Sequence, residues 1–217
     1  SFASFVSCIS GKAKEAKSYK LEAMNIGVLA LQGDFAEHVE VLQKLGVRSK
    51  EVRTPEDLAM IERLILPGGE STVISRLLKK AGLFEAILQR FRKHSLPLYG
   101  TCAGAILLAK EVTGKNPPET LCLLDITIDR NAYGTQLQSF EAELAVKGFS
   151  EPLRVSFIRA PMITHVGKGI EILAEHEGHP VLVRSGSILA AAFHTEVELC
   201  ETRLCLWAPP RRAAPKH

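Results

Sequence analysis

A cysteine between two glycines, in the run Gly100-Thr101-Cys102-Ala103-Gly104, follows a short apolar stretch and precedes an apolar run typical of a helix. A strand that turns sharply into a helix at its nucleophile is a nucleophile elbow, here with cysteine in place of serine. Glycines suit this turn because neighbouring backbone approaches it closely, and the N-terminus of a helix favours the thiolate form of Cys102. Cys102 is therefore a candidate nucleophile, although a small buried cysteine is also common in such turns.

A second apolar stretch ends in Pro67-Gly68-Gly69 and leads into a helix for which Ser71 or Thr72 is the predicted N-cap. Glycines in a loop between a strand and a helix allow backbone N–H groups to point towards a developing oxyanion. By itself, this run also fits an ordinary glycine-rich loop.

A histidine and a glutamate, His194 and Glu196, directly follow the apolar stretch 188–193. Residues i and i+2 of an extended segment point the same way, so Glu196 would orient His194 while His194 takes the thiol proton of Cys102. Alone, the two residues also fit an exposed histidine beside a glutamate. The cysteine, the glycine loop and this pair all fall at the ends of predicted strands, where ligands bind in open α/β sheets. Together they favour a cysteine-based acyl transferase or hydrolase.

The elements that must position these residues alternate between strands and helices in the first half of the chain. Apolar runs predict strands over 25–31, 47–52, 63–66 and 96–99, and amphipathic periodicity predicts helices over 35–45, 55–61, 71–80, 84–93 and 103–112. From 121 to 160 the pattern changes to strands, with three further short strands at 170–174, 180–184 and 188–193. We therefore predict a three-layer α/β fold with a mainly parallel central sheet, helices on both faces and a strand-rich, mixed second half.

Composition excludes several classes of protein. The 217 residues are 46% hydrophobic and 24% charged, which is typical of a globular domain, and no apolar run approaches the ~18 residues that span a membrane. The net charge of +3 belongs to the ends: residues 1–23 carry +2, residues 201–217 carry +3, and the residues between carry −2. A nucleic-acid partner and a membrane partner are therefore not expected.

The five cysteines form no Cys-x-x-Cys pair, and their number is odd. This argues against a disulfide framework and against a cysteine-rich zinc site, and it favours a reducing, cytoplasmic setting. The remaining histidines lack the spacing of metal ligands, so we expect no metal and no cofactor. Residues 1–23 are predicted to be a peripheral or disordered extension (a tag or a leader), residues 24–200 the catalytic domain, and residues 201–217 an atypical tail rich in Pro, Ala and basic residues.

Longer motifs carry a resemblance to a known family over about 24–196. They are IGVLALQGDFAEH at 26–38, LILPGGEST at 64–72, YGTCAGAILLAKE at 99–111, RNAYG at 130–134, SFEAEL at 139–144 and FIRAP at 157–161. The chain resembles the glutaminase subunit of pyridoxal 5′-phosphate synthase, which is a class I (triad) glutamine amidotransferase. The resemblance implies hydrolysis of L-glutamine to L-glutamate and ammonia through a thioester on Cys102, with His194 as base and Glu196 orienting it.

The resemblance also implies which residues bind the substrate. The backbone N–H groups of Gly69 and Ala103 would donate to the oxyanion, and Gln32 would lie near the oxyanion loop and the partner interface. The residues expected to hold glutamine are Gly69, Glu70, Ser71, Arg130, Ile158 and Arg159. A guanidinium among them suits the α-carboxylate of the substrate, which it can bind in bidentate fashion.

The partner implied by the resemblance is a (β/α)8-barrel synthase subunit in a large hetero-oligomer. That subunit builds pyridoxal 5′-phosphate from a pentose phosphate, a triose phosphate and the delivered ammonia, and its docking activates the glutaminase. The chain departs from the family at Thr195, where Pro is usual, at Thr135, where Arg is usual, and in its short apolar C-terminal stretch. Two alternatives therefore stay open: an inactive glutaminase-like binding subunit, and another Cys-elbow hydrolase of the γ-glutamyl hydrolase or PfpI-like type.

Overall fold

The computed structural model describes residues 25–130, 139–149 and 151–194. The predicted extension at 1–23, the tail at 201–217 and the catalytic candidate Glu196 lie outside the described residues. The predictions made for those segments therefore stay predictions.

The described chain contains twelve strands and five helices. The strands are β1 (Asn25–Leu29), β2 (Arg48–Val52), β3 (Arg63–Leu66), β4 (Leu98–Thr101), β5 (Ala109–Thr113), β6 (Leu124–Asp129), β7 (Phe140–Leu144), β8 (Leu153–Phe157), β9 (Met162–Val166), β10 (Glu171–His176), β11 (His179–Ser185) and β12 (Ile188–Ala191). The helices are α1 (Phe35–Lys44), α2 (Pro55–Ala59), α3 (Ser71–Lys80), α4 (Leu83–His94) and α5 (Ala103–Leu108).

A seven-stranded sheet with the order β10-β11-β12-β4-β3-β1-β2 forms the centre of the molecule. The five strands from β12 to β2 run parallel, and β10 and β11 pair antiparallel at one edge. The remaining strands form a three-stranded sheet, β5-β6-β9, and a two-stranded ribbon, β7-β8.

Alternate residues of the central strands belong to different buried clusters. In β3, Leu64 and Leu66 pack with helices α2 to α5 and with the three-stranded sheet, whereas Ile65 packs with α1 and the β7-β8 ribbon. Side chains point to opposite faces at successive strand positions, so a strand covered on both faces is apolar throughout. The predicted three-layer α/β architecture with a mainly parallel sheet is thus confirmed.

Two elements differ from the sequence-based prediction. The helix predicted over 103–112 ends at Leu108, and residues 109–113 form β5, which pairs parallel with β6. Strand β9 was not predicted, because its residues show no clean alternation of apolar and polar side chains. Both elements are fixed by pairing with β6, which lies elsewhere in the sequence. None of the helices in the described ranges is long and apolar enough to cross a membrane.

Candidate active site

The candidate site lies at the carboxyl ends of neighbouring parallel strands. Strand β4 is flanked by β3 and β12, with Gly100 opposite Leu66 and Thr101 opposite Ala191. The strands therefore end at similar heights, and the segments that follow them meet at one edge of the sheet. This is the edge at which open α/β sheets bind ligands.

The nucleophile candidate occupies a strained turn between β4 and α5. Cys102 has φ 47° and ψ −103°, a conformation that is unusual for a residue with a Cβ. Its backbone N–H donates to the carbonyl oxygen of Ala191 at 2.8 Å, and only 7% of the residue is exposed. Strand, tight turn and helix thus follow one another as in a nucleophile elbow.

Close packing of backbone explains the two glycines around the cysteine. A Cβ built on Gly100 would lie 2.6 Å from the carbonyl carbon of Gly104, and one built on Gly104 would lie 1.9 Å from the carbonyl oxygen of Leu66. A side chain at either position would push α5 away from β3 and β4. The physical reason given for these glycines in the sequence analysis is confirmed.

The base candidate is held by contacts from a strand outside the main sheet. His194 is buried, and its backbone N–H donates to the carbonyl oxygen of Ser156 at 2.8 Å, forming an isolated antiparallel bridge to β8. Strand β12, which precedes it, pairs with β4, which precedes Cys102. The structure thus brings His194 and Cys102 to the ends of adjacent strands, while the predicted pairing of His194 with Glu196 lies outside the described residues.

A carboxylate that the sequence analysis did not select also contacts the histidine. Asp34 Oδ2 lies 3.5 Å from His194 Nδ1. Asp34 follows the end of β1, and its backbone N–H donates to the carbonyl oxygen of Gly68 at 3.2 Å. The position of Asp34 in the loop after β1 could have identified it as a site residue from the sequence, because β1 ends at the same edge of the sheet as β3 and β4.

The loop after β1 also contacts the predicted oxyanion loop after β3. The backbone N–H of Glu70 donates to Gln32 Oε1 at 2.9 Å, and Gly69 adopts φ 138°, a conformation open mainly to glycine. A Cβ on Gly69 would lie 2.8 Å from the Cα atom of Gly33 and 2.9 Å from Gln32 Oε1. Gln32 therefore lies against the loop beside which the sequence analysis expected it.

The N-cap of α3 differs from the prediction. Glu70, rather than Ser71 or Thr72, caps the helix, and its carboxylate accepts from the backbone N–H groups of Thr72 and Val73, both at 3.3 Å. Glu70 has the extended φ and ψ of an N-cap, whereas Ser71 is the first helical residue and is buried. A carboxylate has two oxygens and can therefore satisfy both N–H groups at once.

Two predicted substrate-binding residues, Arg130 and Glu70, form an ion pair. Arg130 Nη2 donates to Glu70 Oε1 at 3.2 Å, and Nη1 donates to Thr72 Oγ1 at 3.0 Å and to the carbonyl oxygen of Asn116 at 3.1 Å. The side chain of Arg130 is 18% exposed and that of Glu70 is 49% exposed. The structure thus brings together a polar cluster at the N-terminus of α3, next to the predicted oxyanion loop.

The other predicted binding residues, Ile158 and Arg159, follow β8. Ile158 is 40% exposed, and Arg159 is exposed with φ 46°. Among the described residues, Arg159 has no hydrogen-bond or ion-pair partner. Strand β8 also carries Ser156, the bridge partner of His194, so this segment reaches the site from the side of the histidine.

A second histidine lies behind the nucleophile. His38 on α1 is fully buried, and its Nε2 lies 3.3 Å from the hydroxyl oxygen of Thr101, the residue before Cys102. In the part of the chain that the structure describes, no group of three His, Cys, Asp or Glu residues is arranged to hold a metal ion.

Comparisons with known proteins agree on one family. The sequence model of the SNO glutamine amidotransferase family matches residues 28–208. The pyridoxal 5′-phosphate synthase subunit PdxT of Thermus thermophilus is 49% identical over 172 residues, which cover 79% of this chain and 90% of that relative. The subunit of the same name from Thermotoga neapolitana is 50% identical over 175 residues, which cover 80% of this chain and 92% of that relative.

Solved structures agree with the sequence comparison. A crystal structure of a glutamine amidotransferase is 47% identical to this chain and superposes with a TM-score of 0.74, covering 80% of this chain and 91% of that one. The similarity therefore extends over the central sheet and the segments that carry the candidate site.

Proposed function

The chain belongs to the SNO glutamine amidotransferase family, and we propose that it releases ammonia from L-glutamine through Cys102, His194 and Glu196. The family resemblance carried by the sequence motifs is confirmed. The enzyme is a glutaminase, and the ammonia feeds a pyridoxal 5′-phosphate synthase, which places the reaction in vitamin B6 biosynthesis.

One observation carries the proposed chemistry. Cys102 stands in a strained turn at the end of β4, and its backbone N–H is bonded to Ala191 of β12, three residues before His194. A buried cysteine in such a turn, with a histidine at the end of the adjacent strand, is suited to nucleophilic attack assisted by a base. The close backbone packing at Gly100 and Gly104 holds the turn in this strained conformation.

The reaction proceeds in two halves. His194 takes the proton of the Cys102 thiol, and the sulfur attacks the carbonyl carbon of the glutamine side-chain amide. The oxyanion that forms accepts hydrogen bonds from the backbone N–H groups of Gly69 and Ala103. His194 then returns its proton to the leaving nitrogen, ammonia departs, and a γ-glutamyl thioester remains on Cys102. In the second half, His194 deprotonates a water that attacks the thioester, releasing glutamate and the thiol.

The substrate's amino-acid end binds near the N-terminus of α3. Arg130 and Glu70 offer opposite charges within one ion pair, matching the α-carboxylate and α-ammonium groups of glutamine. Ser71 follows Glu70 in the chain, and Ile158 and Arg159 follow β8, whose Ser156 forms the bridge to His194. The exposed guanidinium of Arg159 is the second group that we propose for binding the substrate carboxylate.

The partner is the synthase subunit, which we propose to be a (β/α)8 barrel that joins this chain in a large cytoplasmic hetero-oligomer. Gln32 connects partner docking to catalysis in this proposal, because its side chain accepts from the backbone N–H of Glu70, next to the oxyanion donor Gly69. Docking that moves Gln32 would turn the loop at Gly69, whose φ of 138° lies in a region where glycine changes conformation easily.

The experiment is a glutaminase assay on the full chain, with and without the synthase subunit, for the wild type, Cys102→Ala and His194→Asn. We expect synthase-dependent release of glutamate from the wild type. Loss of either triad residue is expected to lower kcat by at least about a thousandfold, because triad members act as a unit. Cys122→Ala is the matched control, since Cys122 is an exposed free cysteine.

The outcomes separate the alternatives. No glutamate release by the wild type, with synthase binding retained, would mean an inactive binding subunit. Release from other γ-glutamyl compounds in preference to glutamine would mean another Cys-elbow hydrolase. Undiminished turnover in Cys102→Ala would refute the proposed chemistry altogether.

A further inference from the structure

We propose that Asp34 is a positioning residue for His194, whose carboxylate stabilises the imidazolium that forms when the histidine takes the proton of Cys102. The inference rests on the proposed role of His194 as base. It adds a second carboxylate to the one expected from Glu196, and it assigns a chemical role to the third residue of the Gln32-Gly33-Asp34 loop.

The contact itself is the first argument. Asp34 Oδ2 lies 3.5 Å from His194 Nδ1, and the histidine side chain is only 9% exposed while that of Asp34 is 40% exposed. Two opposite charges at this separation attract, and the attraction is screened less when one of them is buried. The neutral ring gains little from the carboxylate, so the interaction favours the protonated form of the ring.

The loop backbone holds Asp34 in place. Its N–H donates to the carbonyl oxygen of Gly68, and the Cα atom of Gly33 packs against Gly69. A Cβ built on Gly68 would lie 2.7 Å from both Asp34 Oδ2 and His194 Cε1. The carboxylate and the ring therefore meet directly over a glycine, in a space that any side chain at position 68 would fill.

The distance from Asp34 Oδ2 to His194 Nδ1 gives Asp34 a different role from the one proposed for Glu196. At 3.5 Å the contact is longer than the usual 2.9–3.0 Å or so of an N–H···O hydrogen bond. Asp34 is therefore expected to act through its charge, while the Nδ1–H hydrogen bond is the role that the proposed function gives to Glu196. With Nδ1 beside the Asp34 carboxylate, Nε2 is the nitrogen proposed to accept the proton from sulfur, as in the Ser-His-Asp arrangement.

Asp34→Asn keeps the shape of the side chain and removes its charge. In the full chain with its synthase subunit, we expect kcat for glutamine hydrolysis to fall about two- to fivefold, as for the loss of one partly exposed ion-pair partner, with KM unchanged. Glu37→Gln is the matched control, because Glu37 is an exposed carboxylate in the first turn of α1. This substitution removes the same negative charge as Asp34→Asn. Its kcat should equal that of the wild type.

A second measurement separates the charge effect from a structural one. The pKa of His194 can be followed by NMR titration in the Cys102→Ala background, which removes the thiol at the end of the adjacent strand β4. Within the described residues, Asp34 from the loop after β1 then places a carboxylate oxygen 3.5 Å from the ring, and Glu196 is the further carboxylate expected from the proposed function. Adding Asp34→Asn should lower the pKa of His194, because a nearby negative charge favours the imidazolium, while adding Glu37→Gln should leave it unchanged.

The two levels of the proposal can fail separately. If Cys102→Ala and His194→Asn are inactive but Asp34→Asn matches the wild type in kcat and in the pKa of His194, only the role of Asp34 is overturned. A rise in KM with unchanged kcat would also overturn it, since that pattern indicates substrate binding. If His194→Asn retains activity, the proposed function itself fails, whatever Asp34→Asn does.

Discussion

The two reacting groups of the site are held in place by different kinds of structure. Cys102 is fixed by its own turn: a strained backbone between β4 and α5, closed by glycines two residues before and two residues after it. His194 is fixed from outside, by the backbone of Ser156 on β8 and by the side chain of Asp34 after β1. The nucleophile side therefore depends on local backbone packing, and the base side depends on contacts between segments distant in sequence.

The difference predicts how each side responds to damage. Around Cys102, the atoms that would clash are backbone atoms of Leu66 and Gly104, which belong to the core sheet and to α5 and have little room to move. Around His194, a Cβ at Gly68 would meet the side chains of Asp34 and His194, and the His194 backbone is joined to β8 by a single bridge. Substitutions on the nucleophile side should cost stability and activity together, whereas those on the base side should cost activity first.

The strongest test of this comparison is Gly104→Ala. Its Cβ would lie 1.9 Å from the carbonyl oxygen of Leu66, so α5 must shift away from β3. We expect a loss of about 3 kcal/mol, which lowers Tm by about 6–12 °C in a chain of this size, although alanine favours a helix over glycine by about 1 kcal/mol. A shift of the elbow should also reduce kcat about a hundredfold. Thermal denaturation and the glutaminase assay measure the two effects.

Gly46→Ala is the control for this variant. Gly46 has φ 69°, so alanine is strained there by roughly 1–2 kcal/mol, but no atom lies within 4 Å of the added Cβ. It should lose some stability and keep its kcat. Equal Tm values for the two variants would show that backbone packing around Gly104 is not what holds the nucleophile side.

The base side is tested by Gly68→Ala. Here the new methyl group would meet two side chains, at 2.7 Å from Asp34 Oδ2 and from His194 Cε1. Asp34 is partly exposed and can turn away at little cost, but the buried ring of His194 must tilt. We expect kcat to fall about tenfold or more while the free energy of unfolding changes by less than about 1 kcal/mol.

A large loss of stability with full activity in Gly68→Ala would contradict the comparison, because it would make the base side behave like a packed core.

Combining Gly68→Ala with Asp34→Asn tests how the added methyl group lowers kcat. If the methyl group acts mainly by displacing the carboxylate, the two effects on kcat overlap, and the double variant should be little worse than Gly68→Ala alone.

The same contrast explains what the sequence could and could not predict. The turn at Cys102 requires glycines next to it in the chain, so its strain is visible in five consecutive residues. The contact of Asp34 with His194 depends on β1, β3, β4 and β12 ending side by side, which becomes apparent only from the order of strands in the sheet. For a similar reason the sequence predicts a helix over 103–112, whereas pairing with β6 makes residues 109–113 the strand β5.

The predicted N-cap of α3 was wrong for a more local reason. Serine and threonine are preferred N-caps, which favours Ser71 or Thr72, but Ser71 is the first helical residue and Glu70 before it supplies both acceptor oxygens. The carboxylate that caps α3 also receives the guanidinium of Arg130, which comes from the end of β6. A residue with two roles, one of them set by a distant strand, is not identified by local preference alone.

The smallest effect is expected at the edge of the central sheet beyond β12, where β11 pairs with β12 and β10 pairs with β11. Glu171 pairs with Arg184 at 2.6 Å and with Lys147 at 3.1 Å. The hydrogen bond from Arg184, followed by that from Lys147, holds the pKa of Glu171 below its ordinary value of 4.5. A lowered carboxyl pKa contributes stability above pH 4.5, and that stability is lost as the pH falls through the lowered pKa.

Glu171→Gln should therefore reduce the free energy of unfolding at pH 7 by about 0.2–1 kcal/mol, the usual size for a partly exposed ion pair, and leave kcat unchanged. The difference from the wild type should shrink as the pH falls below 4.5, because the wild-type carboxyl is then protonated too. Glu85→Gln, which also removes one exposed carboxylate, on α4, is the control for the loss of a negative charge. Denaturant unfolding at pH 7 and at several acid pH values measures both. A drop in kcat for Glu171→Gln would mean that the sheet edge positions His194 as well, and the base side would then extend from its two direct contacts to the whole β10–β12 edge.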